Sequence, residues 1–115
     1  MIAVIFEVVP AEGRTDEYLG RAAALREELE ALDGFLGVER FQSLSTPGQL
    51  RSQSFWRDEA AVARWRTRES HREAQGAGRA GTFADYRLRV ASVVRDYGLT
   101  ERHEAPADSR AIHDP

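Results

Sequence analysis

The chain opens on an alternation with a period of two. Ile2, Val4, Phe6 and Val8 share one face, and Ala3, Ile5, Glu7 and Val9 share the other, which predicts a strand over Ile2 to Val9. Both faces are mostly apolar, so the strand belongs inside a sheet, covered on each side. Pro10 ends it, because proline has no N–H to give to a ladder, and a turn with Gly13 follows. The period then changes. Tyr18, Ala22, Leu25, Leu29 and Leu32 recur at spacings of four, three, four and three, the stripe of an amphipathic helix. Thr15 is the expected N-cap, with Asp16 and Glu17 well placed in the first turn. Gly34 is the expected C-cap, with Phe35 as the hydrophobic contact behind it.

Phe35 to Leu44 reads as a second strand and Gln49 to Trp56 as a third, joined through the turn Ser45–Thr46–Pro47–Gly48. Leu50, Ser52, Ser54 and Trp56 face one way; Arg51, Gln53 and Phe55 face the other. Asp58 caps a short helix that runs to about Trp65. A break at Arg66–Thr67 leads to a second short helix carrying His71, Arg72 and Gln75. Gly76, Gly78 and Gly81 then mark a flexible connection. Their spacing fits neither GxGxxG after a strand nor GxxxxGK. Thr82 to about Tyr97 is a last strand in which Tyr86, Leu88, Val90, Ser92 and Val94 alternate with Arg87, Arg89, Ala91, Val93 and Arg95. It is long for so small a domain, and part of it is expected to reach beyond the subunit's own sheet.

The order β-α-β-β-α-β is the split βαβ, ferredoxin-like arrangement of the α+β class, with one antiparallel sheet and both helices on one face. The domain is expected to span residues 1–98. Residues 99–115 are polar and without periodicity, and read as a loose tail or an arm over a partner. The sheet face away from the helices would leave apolar side chains in water, which a symmetric dimer of stacked sheets would cover.

Composition narrows the chemistry. The 115 residues make one domain with a single core. A net charge of −3 argues against non-specific nucleic-acid binding. No apolar run could span a bilayer, and MIAVIFEVVP lacks the layout of a signal peptide, so a cytoplasmic location is expected. There is no cysteine, hence no disulfide, thiolate nucleophile or cysteine-held metal. All 16 basic residues are arginine, so a Schiff-base or Walker-type lysine is impossible. His103 and His113 lie among Glu101, Glu104, Asp108 and Asp114, but the spacing matches no ligand pattern and no metal site is expected.

The stretch SFWRDEAAVARWRTRESHREAQ, from Ser54 to Gln75, gathers both tryptophans and the histidine that lies outside the tail. His71 has the chemistry of a base or acid near neutral pH. It also fits a surface position beside the capping box of Ser70 and Glu73. Trp65 and Trp56 offer flat faces for an aromatic ligand and equally fit a core. Tyr86 could hydrogen-bond an oxygenated ligand, and Phe83 enters the last strand beside it. Arg72 and Gln75 could hold a carboxylate or enolate oxygen.

The helix exit LDGFLGVERFQSL, the segments SFWRDEAAVARW and SHREAQ, and the strand FADYRLRVASVV together resemble the antibiotic biosynthesis monooxygenase family of the dimeric α+β barrel superfamily, over roughly residues 2–97. The resemblance implies a homodimer with facing sheets and a pocket in each subunit bordered by the second helical region. It implies a cofactor-independent monooxygenase that oxidises a small phenolic or enolisable aromatic compound with dioxygen. In that reading His71, Tyr86 and Arg72 are catalytic, and Trp65, Gln75, Phe83, Trp56 and Phe6 bind the substrate. Haem-degrading relatives use an asparagine in the first strand, a tryptophan on the second helix and a histidine after it. Here Phe6 stands near the first position, Trp65 matches the second and Gln75 falls at the third, with His71 one turn earlier. The chain has no asparagine at all. A non-catalytic dimeric binding protein and a haem-degrading enzyme are the alternatives.

Overall fold

A computed structural model describes residues 1–114; at positions 69, 70 and 78 it describes the course of the backbone alone. The elements are β1 (Ile2–Pro10), α1 (Thr15–Glu30), β2 (Phe35–Gln42), β3 (Leu50–Trp56), α2 (Glu59–Arg66), α3 (Glu69–Ala77), a π turn (Gly78–Thr82), β4 (Phe83–Ser92) and α4 (Ala107–His113). The strands form one antiparallel sheet in the order β2-β3-β1-β4. This is the expected ferredoxin-like α+β fold, with β1 in the interior as its two apolar faces require.

The register decides what meets the helices. Opposed residues in an antiparallel pair share a face. Rows therefore run Phe35–Trp56–Ile2–Ser92, Val38–Ser54–Val4–Val90, Arg40–Ser52–Phe6–Leu88 and Gln42–Leu50–Val8–Tyr86 across the sheet. The core lies on this side, where Val4 and Trp56 pack against Leu29 of α1 and Ala61 and Val62 of α2. The helices leave the outermost strand partly open, since Leu88 and Val90 are 49% and 51% exposed. On the reverse side Ile5, Val9 and Phe55 lie among charges. There Glu7 accepts from Arg51 at 2.8 Å and pairs with Arg89 at 3.4 Å.

Several local expectations are corrected. Thr15 is the first residue of α1; Arg14 occupies the N-cap and makes no side-chain cap bond. The C-cap of α1 is Ala31, and Gly34 instead takes φ +88° in the turn into β2. The hairpin strands are shorter than expected, ending at Gln42 and beginning at Leu50. β4 stops at Ser92 rather than near Tyr97 because its partner runs out: the last N–H, from Val93, donates to the carbonyl of Met1 at 2.9 Å. The glycine-rich connection follows a helical course. α3 continues through Gly76, and the π turn ends at Thr82, which is buried. Thr82 donates its hydroxyl to Glu17 at 3.1 Å and accepts from the Ala11 N–H at 2.8 Å. Asp58 caps α2 as expected, accepting from the Ala61 N–H at 2.8 Å. The Ser70 half of the expected capping box lies outside the described side chains.

The C-terminal stretch carries the short helix α4 and a local hydrogen-bonded cluster. Arg102 donates to Asp114 at 3.2 and 3.3 Å, to the Gly98 carbonyl at 3.3 Å and to Ser109 Oγ at 2.7 Å, gathering residues 97–114 around one guanidinium. Val94, Leu99 and Ile112 stay exposed. Among the described residues no helix is long and apolar enough to cross a membrane.

Candidate functional site

Two groups of aromatic side chains lie on the helix-facing side of the sheet. The first is built from the end of β3 outward. Trp56 is fully buried, and its indole N–H donates to Ser54 Oγ at 2.9 Å, so the one polar atom of the ring is satisfied. Phe35 meets it edge-on at 5.2 Å between centroids. On the other side Trp65 of α2 stacks on it at 5.1 Å and 22°. His71 of α3 tilts against Trp65 at 4.1 Å. The break at Arg66–Thr67 makes this stack possible. The Thr67 hydroxyl donates to the Ala63 carbonyl at 2.9 Å, ending α2, and the chain re-enters a helix that returns His71 over Trp65. Partial burial holds the His71 imidazole below its ordinary titration range, and the neighbouring Arg72 charge adds to the shift. Both effects disfavour the protonated ring.

The second group caps the opposite end of β1. Phe6 is 5.6 Å from Phe83, 5.8 Å from Tyr86 and 6.4 Å from Tyr18 of α1. Phe83 meets Tyr18 edge-on at 5.7 Å. The Tyr86 hydroxyl accepts from Arg79 Nη1 at 3.0 Å. Tyr18 is 6% exposed, and its hydroxyl is buried with no hydrogen-bond partner. The residues singled out from the sequence thus fall into two sets: Trp56, Trp65 and His71 in one, and Phe6, Phe83 and Tyr86 in the other. Arg72 and Gln75 are exposed on α3, at the margin of the first set.

Two members were missed. Tyr18 belongs to the apolar stripe of α1, and only its unpaired hydroxyl distinguishes it. Arg40 lies in the Phe6 row of the sheet, with Nε buried and unpartnered. The strand alternation that puts Val38 on the helix-facing side puts Arg40 there too. A separate groove of about 330 Å³ lies at the β2–β3 hairpin end, lined by Phe41, Gln42, Ser43, Gln49, Leu50, Arg51 and Gln53. It shares no residue with either aromatic group, and its one charged residue, Arg51, is already held by Glu7. Among the described residues no group of three His, Asp or Glu side chains converges as a metal site would require.

The profile of the family described as antibiotic biosynthesis monooxygenase matches residues 1–77. The chain belongs to the antibiotic biosynthesis monooxygenase family. A jasmonate monooxygenase of Pyricularia oryzae is 50% identical over 93 residues, which cover 81% of this chain and 43% of that protein. The chain thus spans less than half the length of this relative. Among solved structures, Rv0793 of Mycobacterium tuberculosis superposes with a TM-score of 0.75 at 15% identity, covering 84% of this chain and 98% of that one. A mutant of SnoaB, a cofactor-independent oxygenase from Streptomyces nogalater, superposes with a TM-score of 0.70 at 12% identity, covering 83% and 94%. At these identities the superpositions establish the shared fold.

Proposed function

We propose that this family member is a monooxygenase that oxidises a small ring compound bearing an activated methylene, using dioxygen without metal or flavin. The observation that carries the reading is the 50% identity to a jasmonate monooxygenase across four-fifths of the chain. The SnoaB likeness supports the absence of a cofactor. The methylene lies beside a carbonyl or on a phenol-bearing ring. Loss of one proton makes an enolate or phenolate, electron-rich enough to pass an electron to dioxygen. The hydroperoxide that follows loses water. In sum the CH₂ becomes C=O, one oxygen atom enters the product, the other leaves as water, and all four electrons come from the substrate.

His71 is the base in this scheme, because its imidazole lies at the outer end of the aromatic stack, against Trp65 at 4.1 Å, and burial favours its neutral form. Trp65, stacked beside His71, holds the ring, and Arg72 on the same helix as His71 steadies the developing oxyanion. The protein acts as a cytoplasmic homodimer, with the sheet face of Ile5, Glu7 and Phe55 turned toward its partner.

The experiment is oxygen uptake over a panel of anthrones, hydroquinones and cyclic ketones, with ¹⁸O₂ used to follow the label. One labelled oxygen should appear in the product and one in water, and His71→Ala should lower turnover by about 10²-fold or more. No uptake with any member of the panel would sink the proposal. A binding protein without turnover is the second reading, favoured by the way His71 packs on Trp65 at 4.1 Å. Haem titration tests the third, since a shifted Soret band would point to haem degradation.

A further inference from the structure

The groove at the β2–β3 hairpin has a volume of about 330 Å³, at the small end of the roughly 300–1,000 Å³ of ligand clefts. Phe41 and Arg51 are register partners, and Gln53 lies one row further along β3 on the same side, so all three face away from the helices. Ser43 and Gln49 close the hairpin, the Ser43 N–H donating to the Gln49 carbonyl at 3.0 Å. Phe41 is 43% exposed, an aromatic ring turned to water. The polar side chains lining the groove keep unused hydrogen-bonding capacity. Among the described residues, the amides of Gln42 and Gln53 bond to nothing in the fold. The Ser43 hydroxyl accepts from the Thr46 N–H at 3.0 Å and keeps its own hydrogen to donate. The Gln49 amide reaches Glu7 only at 3.5 Å, at the outer limit of such a bond. The groove's charge, by contrast, is already paired. Arg51 donates to Glu7 at 2.8 Å, and Glu7 also pairs with Arg89 at 3.4 Å.

This make-up selects among ligands. An anion finds no free cation here. A wholly apolar molecule would strip water from the amides without replacing the lost hydrogen bonds. What matches is a neutral ring with one flat C–H face for Phe41 and a rim of groups that both donate and accept. We infer that the hairpin groove is a binding site for a neutral sugar, a pyranose ring. Its C–H face lies on Phe41, and its hydroxyls bond the amides of Gln42 and Gln53 and the hydroxyl of Ser43. Amides and hydroxyls each donate and accept, so the match holds in both directions. The groove shares no residue with the two aromatic groups, and the inference stands apart from the oxidation scheme.

The test is an NMR titration of the ¹⁵N-labelled protein with methyl β-D-glucoside and methyl β-D-galactoside, with adenosine and benzoate as flat-ring controls. At least one glycoside should give saturable shifts in the side-chain amides of Gln42 and Gln53 and the backbone of residues 41–43, with a Kd of about 1–10 mM. Phe41→Ala should weaken that binding about fivefold or more, and Phe41→Tyr should keep it. Gln53→Leu should weaken it about threefold or more. Unchanged signals away from the hairpin establish that each variant is folded. No saturable shift with either glycoside up to about 50 mM, tighter binding of adenosine or benzoate, or a Phe41→Ala variant that binds like the wild type would each overturn the inference. The other possible occupant is a second copy, because the hairpin lies at one end of the sheet face proposed to meet a partner. Signals of residues 41–43 that move on dilution of the protein alone, and not on adding glycoside, would show that occupant and overturn the sugar site.

Discussion

The two aromatic groups share a sheet face and differ in what their polar atoms do. In the Phe35–Trp56–Trp65–His71 stack, the indole N–H of the most buried ring is satisfied by Ser54. In the Phe6–Tyr18–Phe83–Tyr86 group, the most buried hydroxyl has no partner, and Tyr86 is 43% exposed. The first is built to be closed, with its chemistry confined to His71 at the outer end. The second carries an incomplete hydrogen-bond inventory beside an open strand. Aromatic density alone therefore does not identify a binding site; an unsatisfied donor beside it is the stronger mark.

The largest effect should come from emptying the closed group. Trp56→Ala is expected to cost about 3–5 kcal/mol, as for other large-to-small core changes, read as a lower urea midpoint. Phe83→Leu, in the open group, should cost less than about 1.5 kcal/mol. Equal losses would mean that both groups are plain core. Next, Ser54→Ala would leave the Trp56 N–H buried and unpaired, at about 1–3 kcal/mol. An unchanged midpoint would show that the 2.9 Å bond contributes nothing to this closure.

The titration of His71 should give a smaller change with a definite sign. Its native value lies below the ordinary 6.5, so between the two the unfolded chain binds more protons and stability rises with pH. Acidifying from neutrality through 6.5 and on through the native value should therefore destabilise the wild type. His71→Gln should flatten that slope. The carboxyls of Glu7, Glu17, Asp33 and Asp58 are held low, chiefly by hydrogen bonds to Arg51, Arg14, Arg57 and the Ala61 N–H respectively. Their contribution is present above their ordinary values of 4.5 and 3.8 and is lost as pH falls further. The slope near 6.5 should thus vanish in the variant while the acid limb stays. The smallest effect belongs to Tyr18→Phe, which removes a hydroxyl that binds nothing in the free protein. Stability should be unchanged or higher by up to about 1 kcal/mol. A loss above that would mean that the hydroxyl is paired within the fold after all.

The sheet was readable because its signal is periodic. The period of two in Ile2 to Val9 and in Leu50 to Trp56 assigns residues to faces, and the Ser45–Gly48 turn between two such stretches gives the hairpin. The helix break at Arg66–Thr67 was readable for a similar reason, because Thr67 turns its hydroxyl back on the preceding turn. Ends were not readable. Where β4 stops depends on where β1 starts, a property of the partner strand and not of residues 93–97. The end of the glycine-rich connection is met by a residue far off in sequence, since Thr82 donates to Glu17, 65 residues away. In the candidate site, Trp56, Trp65 and His71 could be grouped because they are close along the chain. Tyr18 and Arg40 could not be found that way, since being unpaired is a property of the whole neighbourhood, visible only once every hydrogen bond has a place.

One contact at the base of the sheet has a bearing on how this chain can be altered. A methyl group added at Gly34 would lie 2.7 Å from the Cβ of Ala61, in a backbone with φ +88° that side chains resist. The turn into β2 and the first turn of α2 are thus mated at closest approach, and a larger residue on either side must displace the other. Any grafting of a different second helical region onto this sheet, to change what His71 and Trp65 present, has to carry a small residue at position 61 with it. Libraries that vary α2 while leaving that one position alone should keep far more folded members than libraries that vary it freely.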